Sequence, residues 1–199
     1  MTEHLELDKA AQELLFTEAR TANSFSPEPV PDETLRAIWE LAKWAPTAMN
    51  SNPLRVVYLR TEEAKARLVP HMAEANQAKT ATAPVVAVLA ADAEFHEHMP
   101  RLFPIRDGVR EYFAGDDAAR THTAEFNSAL QAGYFLLAVR AAGLAAGPMG
   151  GFDRAGVDAE FFADGRHRSI LVVNIGKPGE NAWFDRLPRL DYDEVVTLV

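Results

Sequence analysis

The sequence predicts an α+β fold built as a single domain over residues 1–199. Three observations predict it. Residues 84–90 (PVVAVLA) form a continuous apolar run, as in a strand covered on both faces. Residues 170–175 read as a second core strand closing on Gly176. Between them, residues 125–142 read as a long alanine-rich helix with Leu130, Tyr134, Leu137, Ala138 and Ala141 in phase.

The other elements follow in order. Leu7, Ala10, Ala11, Leu14 and Leu15 recur at helical spacing, so an amphipathic helix is expected to run to about Arg20, with the polar segment 21–27 ending at the breaker Pro27. A second helix opens at Pro31, with Asp32 as its expected N-cap and Leu35, Ile38, Trp39 and Ala42 as its buried stripe, and stops near Trp44. Residues 45–53 form a loop, and 55–60 a strand. Thr61 is expected to cap a helix to about residue 75, and 76–80 is a polar stretch. Residues 92–122 are rich in charge and aromatics and read as short helices and excursions. Gly143 should cap the long helix. Residues 147–153 form a turn-dense loop, Asp153 starts another helix, and the irregular stretch 183–189 precedes a short final helix near 191–198. The chain has no internal repeat, low-complexity tract or long linker.

Composition narrows the function. A net charge of -9 and a pI near 5.1 argue against nucleic acid and against an anionic membrane face, which recruit basic patches. An anionic ligand must therefore be held by a few local cations. With no cysteine, disulfides, thiolate nucleophiles, Cys–zinc sites and iron–sulfur ligation are all excluded. The first 15 residues lack the basic-then-apolar order of a signal peptide, and no apolar run approaches the roughly 18 residues of a membrane span, so a cytoplasmic location is expected.

Several loops hold polar side chains beside core elements, where a rigid scaffold can present hydrogen bonds. Arg20 could donate a fork to a phosphate and Thr21 add a hydroxyl; alternatively, Arg20 is a solvated cation at a helix C-terminus. In the loop 46–53, Pro46 and Pro53 stiffen the ends, Thr47 supplies a hydroxyl, and Asn50 and Asn52 each offer donor and acceptor. That set suits a heteroaromatic ring edge, or else a turn satisfying its own backbone. Asn76 and Lys79 stand at i, i+3 before the buried run. Gly147, Pro148, Met149, Gly150 and Gly151 could let backbone approach a planar ligand closely, though no dinucleotide or phosphate-loop fingerprint is present. Arg186 and Arg189 could complete a phosphate site or simply be solvated. His96 and His98, at i, i+2, would face different sides of a helix, so no metal site is expected, and His4, His71, His122 and His167 lack companion motifs. No serine-nucleophile elbow occurs.

In this order, the loops resemble those of the nitroreductase family. Its Arg-Ser-x-Arg motif followed by an aromatic is similar to Arg20-Thr21-Ala22-Asn23-Ser24-Phe25, and its Pro-Ser-x-x-Asn-x-Gln-Pro motif to Pro46-Thr47-Ala48-Met49-Asn50-Ser51-Asn52-Pro53. Asn76 with Lys79, the turn Pro148-Met149-Gly150-Gly151-Phe152-Asp153, and Arg189 match three further motifs. Within the family, the chain resembles the branch of malonic semialdehyde reductases and NADH dehydrogenase/NAD(P)H nitroreductases. The resemblance implies a central, mostly antiparallel sheet surrounded by helices, in a homodimer with FMN at the subunit interface. Arg20, Thr21 and Arg189 would hold the ribityl phosphate, with Asn23 beside them. Pro46, Thr47, Ala48 and Asn50 would line the ring, Asn76 and Lys79 would lie near its pyrimidine edge, and backbone at Gly150 would approach flavin N5, with Pro148, Met149 and Gly151 also at the cofactor. Two positions depart from the pattern: Asn23 stands where many relatives carry Arg or Lys, and Gly150 where well-studied members carry Glu.

That resemblance implies a ping-pong oxidoreductase using NADH or NADPH, with flavin rather than a side chain carrying the hydride to a small-molecule acceptor. If the acceptor is malonic semialdehyde, reduced to 3-hydroxypropionate in pyrimidine degradation, Arg106 or Arg110 would meet its carboxylate; both read equally well as solvated residues. Nitroaromatic or quinone reduction, flavin storage without turnover, and a helical interaction protein are the competing readings.

Overall fold

The computed structural model describes residues 5–199, so His4 lies outside the described residues. Four strands, β1 (Leu54–Leu59), β2 (Val85–Asp92), β3 (Ala145–Met149) and β4 (His167–Gly176), form one antiparallel sheet in the order β1-β2-β4-β3. The described helices are α1 (Lys9–Gln12, continuing as a π turn over Glu13–Thr17), α2 (Asp32–Ala42), α3 (Glu62–Leu68), α4 (Glu74–Thr82), α5 (Met99–Leu102), α6 (Val109–Ala114), α7 (Asp117–Ala141), α8 (Arg154–Phe161) and α9 (Tyr192–Val195). The α+β expectation and the central antiparallel sheet are both met.

The apolar run becomes β2 because both its faces are covered. Val85, Ala87 and Leu89 join Ile38, Phe135 and Val139 beneath α2 and α7, while Val86, Val88 and Ala90 join Leu68, Val157 and Phe25 on the opposite face. A third small cluster, Phe95, Met99, Val109 and Phe113, packs the segment after β2. That segment is tied down by Asp92, whose fully buried carboxylate accepts from Arg55 (2.5 Å), from Arg166 through Nε and Nη2 (2.8 and 2.9 Å), and from the Glu94 amide (2.9 Å). Burial alone would raise its pKa, but the Arg166 hydrogen bond and the charges of Arg55 and Arg166 hold it below the usual carboxylate value.

Several boundaries differ from the sequence expectation, each for a local reason. The first helix ends at Thr17, before Arg20, and Leu7 and Leu14 are exposed. Pro31, not Asp32, is the N-cap of α2, and Asp32 forms its first turn. Thr61 caps α3 as expected, accepting the Ala64 amide at 3.1 Å, but the helix stops at Leu68 because Pro70 cannot continue the ladder. The polar stretch 76–80 lies inside α4. The segment read as the start of a turn-dense loop pairs instead as β3. Pro148 is tolerated there because β3 is an edge strand, and Gly147 is needed because an added Cβ would stand 2.7 Å from the Ala22 carbonyl oxygen.

The long helix shows the largest discrepancy. It begins two turns early at Asp117, where the Asp116 side chain accepts the Ala119 amide at 2.9 Å. Its buried face carries Asn127, Ser128, Gln131, Phe135, Ala138 and Val139, whereas Leu130 and Tyr134 from the expected stripe are 42% and 43% exposed. A stripe containing two buried amides does not read as apolar, so hydrophobic periodicity picks the wrong face. The C-terminus is as expected: Gly143 takes φ 71° and the Leu144 amide reaches back to the Val139 carbonyl at 3.2 Å.

Candidate cofactor site

Segment 20–23 is laid along the outer edge of β3. The Ala22 amide donates to the Ala146 carbonyl (3.1 Å) and the Asn23 amide to the Ala182 carbonyl (2.9 Å). Buried Ala22 therefore anchors the segment, and Arg20, Thr21 and Asn23 reach a cleft of 230 Å³ that also meets the chain's C-terminal stretch. Four arginines line this cleft: Arg20, Arg140 from the last turn of α7, Arg186 and Arg189; Asp185 is the one acid among the lining residues. None of the four enters an ion pair among the described residues. Three of them are held by neutral groups. Arg20 donates to the Phe184 carbonyl at 3.4 Å and lies 5.6 Å over the Trp183 ring, Arg140 donates to the Leu15 carbonyl at 3.0 Å, and Arg189 donates to the Leu187 and Pro188 carbonyls at 3.0 Å each. Arg20 Nε is buried and has no hydrogen-bond partner among the described residues. Burial lowers the Arg140 pKa from its ordinary value. In a chain of net charge -9, this concentration of cations gives the cleft the local field and the donors that could hold an anion.

Helix α4 delivers the next pair. Lys79 Nζ donates to Asn23 Oδ1 at 3.3 Å, and Asn76 Nδ2 donates to the Gly151 carbonyl at 3.1 Å. Lys79 is thus steered by a neutral amide, so its charge is not spent on a carboxylate. Gly151 lies close under Asn76: an added Cβ would be 3.2 Å from its Nδ2. Gly150 is exposed, with open space where a side chain would be. Met149 departs from a lining role for its side chain, because its sulfur is buried beside Thr80 Oγ1 (3.8 Å) and Asn174 Nδ2 (4.0 Å). Pro148, beside it on β3, is half-buried. Thus segment 20–23, Asn76, Lys79, Gly151 and Arg189 form two linked neighbourhoods at one edge of the sheet.

The loop 46–53 sits elsewhere. It leads into β1, on the opposite sheet edge, and three strand spacings of about 4.8 Å separate the edges by roughly 14 Å. Among the described residues no hydrogen bond joins it to segments 20–23 or 147–151. The loop is unusual in itself. Met49, Asn50 and Asn52 hold φ of 51°, 53° and 44°, a left-handed conformation that costs roughly 1–2 kcal/mol for a residue such as Met. Two buried amides of α7 meet it: Asn127 Oδ1 accepts the Ala48 amide at 2.7 Å, and Gln131 Oε1 accepts the Leu54 amide at 2.9 Å. Pro46 and Asn50 are exposed and Thr47 is half-buried, with its hydroxyl accepting the Asn52 amide at 3.2 Å.

Arg106 and Arg110 lie on the exposed segment between α5 and the first turn of α6. They line a separate cleft of 260 Å³ together with Asp107 and Glu111, and Arg110 contacts Glu111 at 3.4 Å. Asn50 Nδ2 donates to the Leu102 carbonyl at 2.8 Å, which brings the end of α5 against the loop. Sequence reasoning missed Arg140, Asn127 and Gln131. All three are embedded in a helical pattern; the one available signal was a polar i, i+4 pair in an otherwise alanine-rich helix.

Residues 17–177 match the model of the nitroreductase family. A Streptomyces coelicolor protein, provisionally named an NADH dehydrogenase/NAD(P)H nitroreductase, is 60% identical over 92% of this chain and 90% of its own length. A Streptomyces griseus protein of the same provisional name is 57% identical over 98% of this chain and 99% of its own. Crystal structures of two proteins provisionally named nitroreductases, one from Bacillus subtilis and one from Exiguobacterium sibiricum in complex with FMN, share the fold, each with TM-score 0.84 and 22% identity. They cover 96% and 98% of this chain, and 100% and 99% of their own.

Proposed function

The chain belongs to the nitroreductase family, and from that premise we propose that it is a homodimeric, FMN-dependent oxidoreductase passing electrons from NADH or NADPH to a small acceptor. The observation that carries the reading is the cleft of four unpaired arginines with Arg20 Nε buried and unpartnered. A phosphate supplies the acceptor oxygens that such a set lacks, and the residues present therefore fit the phosphate end of FMN.

In this reading Arg20, Thr21 and Arg189 hold the phosphate, with Arg140 and Arg186 completing the positive field and Asn23 passing the site on to Lys79. Asn76, Lys79 and the backbone of 148–151 meet the ring. Lys79, free of any carboxylate among the described residues, places a cation where negative charge gathers on the pyrimidine edge, and Gly150 leaves room for close backbone approach. Bound FMN would supply the redox chemistry, accepting a hydride from the nicotinamide and returning reducing equivalents to the acceptor. Pro46, Thr47, Ala48 and Asn50 stand across the sheet from this edge, so we assign their role at the ring to the loop of the second subunit. A second copy also accounts for the apolar surface left by one chain: Leu14, Phe16, Leu41, Trp44, Phe126, Leu130 and Tyr134 are all exposed.

The acceptor is set by the segment around Arg106 and Arg110. A carboxylate such as that of malonic semialdehyde would use one of these cations, whereas Asp107 and Glu111 in the same cleft favour a neutral nitroaromatic or quinone. The experiment is steady-state oxidation of NADH and of NADPH by the FMN-loaded protein against malonic semialdehyde, a quinone and a nitroaromatic, with 3-hydroxypropionate assayed as product. Consumption of either nicotinamide only when an acceptor is present is expected. A protein that remains colourless after FMN is supplied, or that is yellow and consumes neither nicotinamide, refutes the reading. Light scattering should give a dimer in wild type and a smaller species in Tyr134→Lys.

A further inference from the structure

The amides of loop 46–53 form a one-way chain that starts in the core. A backbone N–H can only donate, so the Leu54 amide requires Gln131 to present Oε1 (2.9 Å), which turns its Nε2 towards Asn52 Oδ1 (3.4 Å). Asn52 then has only Nδ2 to offer Asn50, and it donates to both the Asn50 carbonyl and Oδ1 at 2.7 Å. Asn50 is left with Nδ2 towards the Leu102 carbonyl at 2.8 Å. Each amide fixes the sense of the next. Asn127 pins the other end of the loop in the same manner: its Nδ2 donates to the Thr123 carbonyl (2.8 Å), so Oδ1 must face the Ala48 amide. Both helix residues are at least 98% buried, and the loop they hold contains three non-glycine residues with left-handed backbone. Such a loop keeps its shape only when its surroundings over-determine it.

We propose that Gln131, acting through Asn52, is a positioning residue that sets the orientation of the Asn50 amide before flavin arrives, with Asn127 fixing the loop backbone at Ala48. This rests on the reading that Asn50 meets the flavin ring. Its consequence is specific. After the chain is satisfied, Asn50 retains one N–H and one lone pair of fixed direction for a ring edge, and the ordering cost is met in the apo-protein.

The test is Gln131→Met, which keeps the shape and removes both amide links, alongside Asn52→Ala, which breaks the relay at a half-exposed site and spares the core. Dissociation constants for FMN and for riboflavin are measured by flavin fluorescence, with the absorption spectrum of the bound flavin and the thermal midpoint of the apo-protein. Each variant should weaken FMN and riboflavin by the same factor, about fivefold, as for one lost neutral hydrogen bond. The bound-flavin spectrum should shift, and the double variant should be no worse than the worse single one. Should Gln131→Met fail to fold, Asn52→Ala decides. Unaltered affinity and spectrum in a folded variant, or additive losses in the double, overturn the proposal. A wild-type chain that binds neither flavin overturns the functional reading instead, and this proposal with it.

Discussion

Replacing Arg20 by Gln tests the phosphate cleft, because the structure separates what Arg20 does for the fold from what it would do for a ligand. For the fold it does little. Among the described residues its one hydrogen bond, to the Phe184 carbonyl, is 3.4 Å long, and its guanidinium lies 5.6 Å over the Trp183 ring. The stacking is worth about 0.5–1 kcal/mol and so long a bond adds at most about 0.5 kcal/mol, so the apo-protein should lose about 1 kcal/mol. For a phosphate, Arg20 offers its buried Nε and a charge that no carboxylate among the described residues neutralises. A hydrogen bond to a charged group is worth about 1.5–3 kcal/mol, so FMN affinity should fall by about 10- to 150-fold. Riboflavin, which has no phosphate, should bind wild type and Arg20→Gln about equally. Titration of both flavins into both proteins, followed by fluorescence quenching, reads the ratio directly. If FMN and riboflavin weaken together, Arg20 is a structural residue. If neither changes, the arginine cleft does not hold the phosphate.

Three further outcomes follow from other parts of the molecule. Asp92→Leu leaves Arg55 and Arg166 without their shared carboxylate, and since both remain about 30% exposed the loss should sit at the low end for a broken buried pair, about 3 kcal/mol by urea denaturation. The folded-state pKa of Asp92 is depressed, so this stabilisation is present above the ordinary carboxylate pKa and disappears as pH falls below about 4. Burial lowers the pKa of His96, with the charges of Glu94, Arg120 and Glu97 as lesser influences, so the unfolded chain takes up the proton first; stability should be full above about pH 6.5 and decline as pH drops. Thermal midpoints at pH 7.5 and 5.5 should show a smaller drop in His96→Gln than in wild type, and equal drops would refute the assignment. Gly147→Ala should destabilise by about 1–3 kcal/mol in thermal melts, because its Cβ would meet the Ala22 carbonyl oxygen at 2.7 Å and Phe25 Cζ at 3.3 Å.

Much of the fold could be read from residues alone, where the physical signal is local. The β2 run stands out because a strand buried on both faces has no polar positions, Thr61 because its hydroxyl caps its own helix, and Gly143 because only a left-handed residue closes α7 in that way. The candidate site was legible as five separate polar segments whose order resembles one family's. Elsewhere the local signal misled. The α7 stripe of Leu130 and Tyr134 is apolar and periodic, yet it faces outward in one chain, while the true buried face carries Asn127 and Gln131. Residues 147–149 carry Gly and Pro, which signal a turn, yet β4 pairs with them as an edge strand.

The sequence by itself determined the α+β class, the covered central strand and the polar loops at which chemistry could occur, because propensity, capping and burial on both faces act over a few neighbouring residues. Only the tertiary structure decided which of those loops meet. It gathers Arg20, Arg140, Arg186 and Arg189 from three distant stretches into one cleft, joins Lys79 to Asn23, and holds loop 46–53 apart at the opposite sheet edge. Strand order and the long-range hydrogen bonds of buried amides make those choices; strand order leaves no mark in residue spacing, and the amides leave only the polar i, i+4 pair Asn127 and Gln131, which does not name their partners.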